Sequence, residues 1–188
     1  MKMEVVEKTS PINDSSNKKK ISYRISDNLS LFYYRYIFKY ASQLKIMDSE
    51  VFYKKYIEKD FEENYVPHQF ENMAKQYLIK QNKAGKIEPV FEKIGKYYYD
   101  NPAEHKNGEF DVVTQDEFGY VFYEVKFKKT PITKAVIDEE ISQVRATGLE
   151  CHKYAFISRS GFNCRKRKNL NLITLDDMYA SNKELEKA

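Results

Sequence analysis

From residue 28 to residue 83 apolar side chains recur at intervals of three and four, the spacing of helices that bury one face. Leu29, Phe32, Tyr33, Tyr36, Ile37 and Tyr40 form the first such stripe and predict a helix over 28–47, with Ser26 or Asp27 as its cap. Asp48 opens a second amphipathic helix over 49–66. Pro67, suited to a first helical turn, opens a third, which Gly85 ends. Ahead of these helices, residues 4–8 and 21–25 read as two short strands joined by the polar loop "TSPINDSSNKKK".

Beyond Gly85 the pattern changes to β-rich runs. Residues 88–100, 108–115 and 120–129 predict three strands, and "DNPAEHKNG" and "DEFG" supply the turns of a meander. A helix over 130–148 follows, with Thr130 or Thr133 as cap and Gly148 as stop. A strand over 152–158, a basic loop, a short strand over 170–175 and a polar helix complete the chain. The order from residue 67 is helix, three strands, helix, strand. A helix crossing between parallel strands predicts an α/β fold, a mixed sheet covered by helices. The expected organisation is a hairpin in 1–25, a helical segment in 26–66 and an α/β domain in 67–188.

Composition sharpens this picture in two places. With 16 Tyr, 12 Phe and no Trp among 188 residues, the core is expected to be built of packed rings with hydroxyls at its edge. Lys and Arg together number 32 and Asp and Glu 28, a balance too even to specify a polyanionic partner, so local clustering has to decide. Arg165, Lys166, Arg167 and Lys168 cluster in one loop, and Lys128 and Lys129 follow the third strand of the meander; such cations would hold phosphates without reading sequence, or simply be solvated. The N-terminus lacks an apolar signal core and no run is long enough to span a membrane, which predicts a cytoplasmic protein. Cys151, Cys164 and the three histidines do not have zinc-site spacing, and the two thiols are expected reduced, in or near the core.

The chemistry concentrates in "GEFDVVTQDEFGYVFYEVKF", residues 108–127. Alternation along a strand places Glu124 and Lys126 on one face, and the turn after Asp116 brings Asp111 of the preceding strand beside them. Two carboxylates so placed, with the carbonyl of Val125, offer hard oxygen ligands for Mg²⁺ or Mn²⁺. A metal held there can orient a phosphate and activate a water, while Lys126 aligns or deprotonates that water, or stabilises charge on phosphorus. The other reading of the same residues is a cross-strand ion pair on a solvated face, worth about 0.2–1 kcal/mol.

Asp111 followed by Glu124-Val125-Lys126, in an α-β-β-β-α-β order, resembles the PD-(D/E)XK nuclease superfamily, whose restriction-endonuclease-like core the resemblance implies here. Glu71, in "FENMAKQYL" of the preceding helix, resembles the helical glutamate that many members aim at the metal, and Phe110 stands where the motif has Pro. The resemblance implies Asp111, Glu124, Lys126 and Glu71 as catalytic residues. Gln143 and Arg145 of the crossover helix are candidates for the scissile phosphate, or equally for the solvent-facing side on which such a helix carries polar residues.

More of the chain, including "ISYRISDNLSLFYYRYI", "FEKIGKYYYD" and "FYEVKF", is similar to the C-terminal region of prokaryotic, notably archaeal, AAA-type ATPases, the domain of unknown function 234. There a P-loop ATPase domain and a winged helix come first, and residues 4–25 resemble only the wing. The sequence has no G-x-x-x-x-G-K-[ST] loop, so no ATPase activity is expected of it, whether it is a truncated form or a free-standing remnant. The resemblance leaves two functions: metal-dependent cleavage of nucleic acid, most simply DNA, or a catalytically silent DNA-binding or protein-interaction module that regulates or targets an ATPase.

Overall fold

The computed structural model describes residues 6–101, 106–165, 167 and 169–185. They divide into two units: one contains Ser15–His68 and the described residues up to Ser10, the other Pro11–Asp14 and everything from Gln69 onward.

In the first unit β1 (Val6–Thr9) pairs antiparallel with β2 (Ser22–Ile25), as the two short apolar runs predict. Asp27 is the cap of α1 (Asn28–Phe32): its Oδ2 accepts the Ser30 N–H at 2.6 Å. The single helix expected over 28–47 is not formed. After Phe32 it widens into a π-helical stretch, Tyr33–Phe38, leaves the helical region at Tyr40 and resumes as α2 (Ala41–Leu44). A wider turn shifts the phase of the following side chains, and here Phe32 and Tyr36 lie 5.1 Å apart and both reach Tyr65, at 6.0 and 5.7 Å.

Asp48 caps α3 (Ser49–Tyr56) by accepting the Glu50 and Val51 N–H groups. A short α4 (Glu58–Asp60) leads through a second π-helical stretch, Phe61–Tyr65, straight into α5 (Val66–Lys83). Pro67 therefore does not begin a separate helix. It has no N–H for the Glu63 carbonyl and its ring would crowd that group in a regular helix; the wide stretch ends two residues before it. Tyr36, Phe52, Ile57 and Tyr65 are the buried centre of this unit.

The second unit is a mixed sheet flanked by helices. Its strands β3 (Lys93–Asn101), β4 (Lys106–Asp116) and β5 (Gly119–Lys126) form the antiparallel meander that the turn residues predict. The chain then passes through a two-residue strand, β6 (Ile132–Thr133), and crosses by α6 (Lys134–Ala146) to β7 (Cys151–Ser158), which lies parallel to β5. A further two-residue strand, β8 (Phe162–Asn163), pairs parallel with β6 inside what reads as loop. Finally β9 (Leu170–Thr174) adds parallel to β7, and α7 (Leu175–Leu185) follows. The sheet order is β3-β4-β5-β7-β9, with β5 at its centre.

Phe70, Ala74 and Leu78, four residues apart on α5, pack on one face of the sheet against Val112, Val121, Tyr123 and Ile157. On the other face Val144 of α6 closes over Tyr97, Val113 and Phe122, while Ile137 packs with Phe156. The outer edge of β3 is covered by Pro11–Asp14: the Ile12 N–H donates to the Lys96 carbonyl at 2.8 Å, and Asn13 exchanges hydrogen bonds with both backbone groups of Tyr98. Gly95 permits this, since a Cβ there would meet Ile12 Cγ2 at 2.8 Å.

Candidate active site

Two irregularities in the sheet make the site. The first is a fork. The ladder between β4 and β5 ends at Val112 and Tyr123, yet β4 continues along β3 to Lys106 and β5 continues along β7 to Lys126. The second is a bulge beside it: between the pairs Gly95 with Val113 and Tyr97 with Phe110, Lys96 alone faces Asp111 and Val112. Such a bulge re-aims a side chain. Simple alternation would give Asp111 the same face as Glu124, but the bulge turns it to Lys96, whose Nζ lies 3.0 Å from Asp111 Oδ1 and 2.5 Å from Glu109 Oε1. Glu124 and Lys126 project instead toward α6.

The separation of faces does not part the groups, because the fork opens both sides into one cleft. A cavity of about 440 Å³ is lined by Glu71 from α5, Glu109 and Asp111 from β4, Glu124, Val125 and Lys126 from β5, and Glu140 and Gln143 from α6. All four residues expected to carry catalysis thus share one concave surface. Lys126 Nζ sits 2.6 Å from Glu124 Oε1 and 2.8 Å from Glu140 Oε1.

The electrostatics follow from this packing. Burial pushes the Glu124 carboxyl above the usual carboxylate range; the hydrogen bond and charge of Lys126 pull it back in part, and Glu140 and Asp111 push it further up. Burial works to lower the Lys126 ammonium, and its hydrogen bonds to Glu124 and Glu140 outweigh that, leaving its pKa above the ordinary lysine value. Lys96 is raised by the same balance, with Glu109 and Asp111 as its partners. Five carboxylates line a cleft with one lysine, and hard oxygen donors in excess are a fit for a divalent cation. Among the described residues no three His, Cys, Asp or Glu side chains are already drawn to a common point; the oxygens of Glu124 and Asp111 are directed at lysines.

A profile of the family described as archaeal and bacterial proteins of unknown function, domain of unknown function 234, matches residues 33–142, more than half of the chain. The chain belongs to this family. The match includes Glu71, Asp111, Glu124, Lys126 and Glu140. An uncharacterised protein of Methanocaldococcus jannaschii is 29% identical over 182 residues, which is 94% of this chain and 39% of that protein; the chain thus spans well under half the length of this curated relative. A crystal structure of a protein of unknown function aligns over 60% of this chain and 67% of its own at 12% identity, with a TM-score of 0.32.

Other residues singled out in the sequence of this family member fall less centrally. Gln143 lines the cleft one helical turn after Glu140, whereas Arg145, two positions on, is not in its lining and has its guanidinium 5.9 Å from the Tyr154 ring. Lys128 and Lys129 are exposed beyond the end of β5, and Arg165 is exposed. Arg167 is ion-paired to Asp138 at 2.8 Å, and Lys166 and Lys168 lie outside the described residues. Glu140, Lys96 and Glu109 are the residues that strand reasoning missed. Only Glu140 left a trace: with Gln143 it forms a polar i, i+3 pair between the buried Ile137 and Val144.

Proposed function

We propose that the second unit cleaves phosphodiester bonds of nucleic acid with the help of Mg²⁺ or Mn²⁺, in the manner of PD-(D/E)XK nucleases. One observation carries the reading: Asp111, Glu124, Lys126 and Glu71, from three separate elements, line a single cleft at the fork of the sheet. The order α5-β3-β4-β5-α6-β7 supports it, as it is the order those nucleases share.

Asp111 and Glu124, with the Val125 carbonyl, would hold the cation, and Glu71 would supply an auxiliary carboxylate. When bound, a divalent cation there lowers the pKa of a water and neutralises phosphate charge. The chain's own residues do the rest. Lys126, held between two carboxylates, is an ammonium rather than a free base, so its part is to stabilise negative charge on the reacting phosphate and to orient the attacking water. Gln143, at the cleft wall, can donate its amide N–H to a phosphate oxygen. A longer relative sets this domain beside further chain, and an ATPase region in cis or in trans is the partner that the family resemblance implies.

The test is incubation with supercoiled plasmid, single-stranded DNA and RNA in Mg²⁺ and in Mn²⁺. Cleavage by the wild type that Glu124→Ala and Lys126→Ala abolish is the expected result. Binding without cleavage across all substrates would replace this reading with that of a silent nucleic-acid-binding module.

A further inference from the structure

Resting on that reading, we infer that Glu140 is a positioning residue that takes over Lys126 when a divalent cation occupies Glu124. The geometry supplies the reason. Lys126 Nζ now divides itself between Glu124 at 2.6 Å and Glu140 at 2.8 Å, from the central strand and the crossover helix respectively. Lys126 holds Glu124 Oε1, and a divalent cation on the other oxygen would share the same carboxylate charge with the ammonium. Two cations around one carboxylate repel each other, so loading the site weakens the hold of Glu124 on Lys126 and shifts the lysine toward Glu140.

Without a second anion the lysine would then leave the cleft, because a buried or half-buried ammonium needs a partner. Glu140 is that partner. Its side chain is held in the cleft wall with only 19% of its surface exposed, between the buried anchors Ile137 and Val144 of α6. It therefore stays in place while the cation exchanges. The same arrangement recurs across the fork, where Lys96 is shared between Asp111 at 3.0 Å and Glu109 at 2.5 Å. Each of the two carboxylates assigned to the cation is thus covered by a lysine that has another carboxylate to retain it.

The reactivity of Lys126 separates a positioning Glu140 from a merely structural ion pair. In the wild type, Mn²⁺ binding is followed by calorimetry and Lys126 is probed with an amine-acylating reagent, located by mass spectrometry. Saturating Mn²⁺ is expected to leave Lys126 protected in the wild type, because Glu140 keeps it. In Glu140→Gln, which retains shape and loses charge, Mn²⁺ is expected to raise the labelling of Lys126 by up to about fivefold, the factor a partly exposed ion pair is worth. Glu140→Asp should restore part of the protection. In cleavage assays Glu140→Gln should lower kcat at saturating Mn²⁺ more than it raises KM for nucleic acid.

Equal labelling of Lys126 in wild type and Glu140→Gln, with Mn²⁺ bound to both, would overturn the role of Glu140 and leave the metal site standing. Failure of the wild type to take up Mn²⁺ at all would overturn the nuclease reading and this inference with it.

Discussion

Asp60 ties together three side chains of the first unit. Arg35 donates to its two carboxylate oxygens at 2.7 and 2.8 Å, the Tyr36 hydroxyl donates at 2.6 Å, and Asn64 donates at 3.0 Å. The Arg35 guanidinium, then the Tyr36 hydroxyl, hold the Asp60 carboxyl well below the usual carboxylate range. A carboxyl whose pKa is lower folded than unfolded stabilises the native state above the unfolded value, about 3.9, and that stability is lost as pH falls toward the folded value. Urea melts at pH 5 and pH 3 should therefore show the wild type losing more stability than Asp60→Asn. At neutral pH Asp60→Ala should cost about 1–3 kcal/mol, because the Tyr36 ring is buried and its hydroxyl would lose its acceptor. Equal pH dependence in wild type and Asp60→Asn would show that the network stores no such charge energy.

At the scale of elements, what was legible in the sequence was what local rules control. The meander, the crossover helix and the caps Asp27 and Asp48 follow from turn residues, apolar spacing and short side chains that satisfy N-terminal N–H groups. The π-helical stretches and the bulge at Asp111 were not legible, since each is a one-residue change of phase that no local spacing marks: rings pack on rings in the first unit, and Lys96 meets two acids in the second. The candidate site was nonetheless half visible, because strand alternation and the turn bring in Asp111, Glu124 and Lys126 and the family resemblance adds Glu71, whereas Glu140 and Lys96 enter only through tertiary contact. Helix α6 links the two. Ile137 is fully buried against Phe156, so Ile137→Ala should cost about 2–5 kcal/mol in a urea melt. Because it loosens the face that presents Glu140, it should also slow cleavage in conditions where the protein remains folded. Full activity in a destabilised Ile137→Ala would mean that the cleft does not depend on how α6 is seated.

For the whole molecule, a chain with a net charge of +4 keeps its candidate cleft acidic, with five carboxylates against the lining Lys126 and against Lys96, which pairs with Asp111 and Glu109. On the proposed reading, the bulk charge and the cleft would act oppositely on nucleic acid. Exposed cations such as Lys128, Lys129 and Arg165 can attract a phosphate backbone, while the cleft repels it until a divalent cation offsets the acids. Affinity is then expected to have two separable parts. With Ca²⁺ in place of the cleavage-supporting ions, the wild type should bind nucleic acid more tightly than in a chelator, and Asp111→Ala and Glu124→Ala should lose that difference while binding somewhat more tightly than the wild type in chelator, because each removes one acid from the cleft. Joint replacement of Lys128, Lys129 and Arg165 by Ala should act the other way. It should weaken binding with and without Ca²⁺, for every sequence tested, and flatten the slope of log affinity against log salt by about 2–3 if each cation meets one phosphate. Fluorescence anisotropy over a salt series reads both parts in one experiment. A Ca²⁺ effect that survives in Glu124→Ala would move the cation away from the fork, and an unchanged salt slope in the triple variant would move the backbone contacts to a surface other than the one beyond β5.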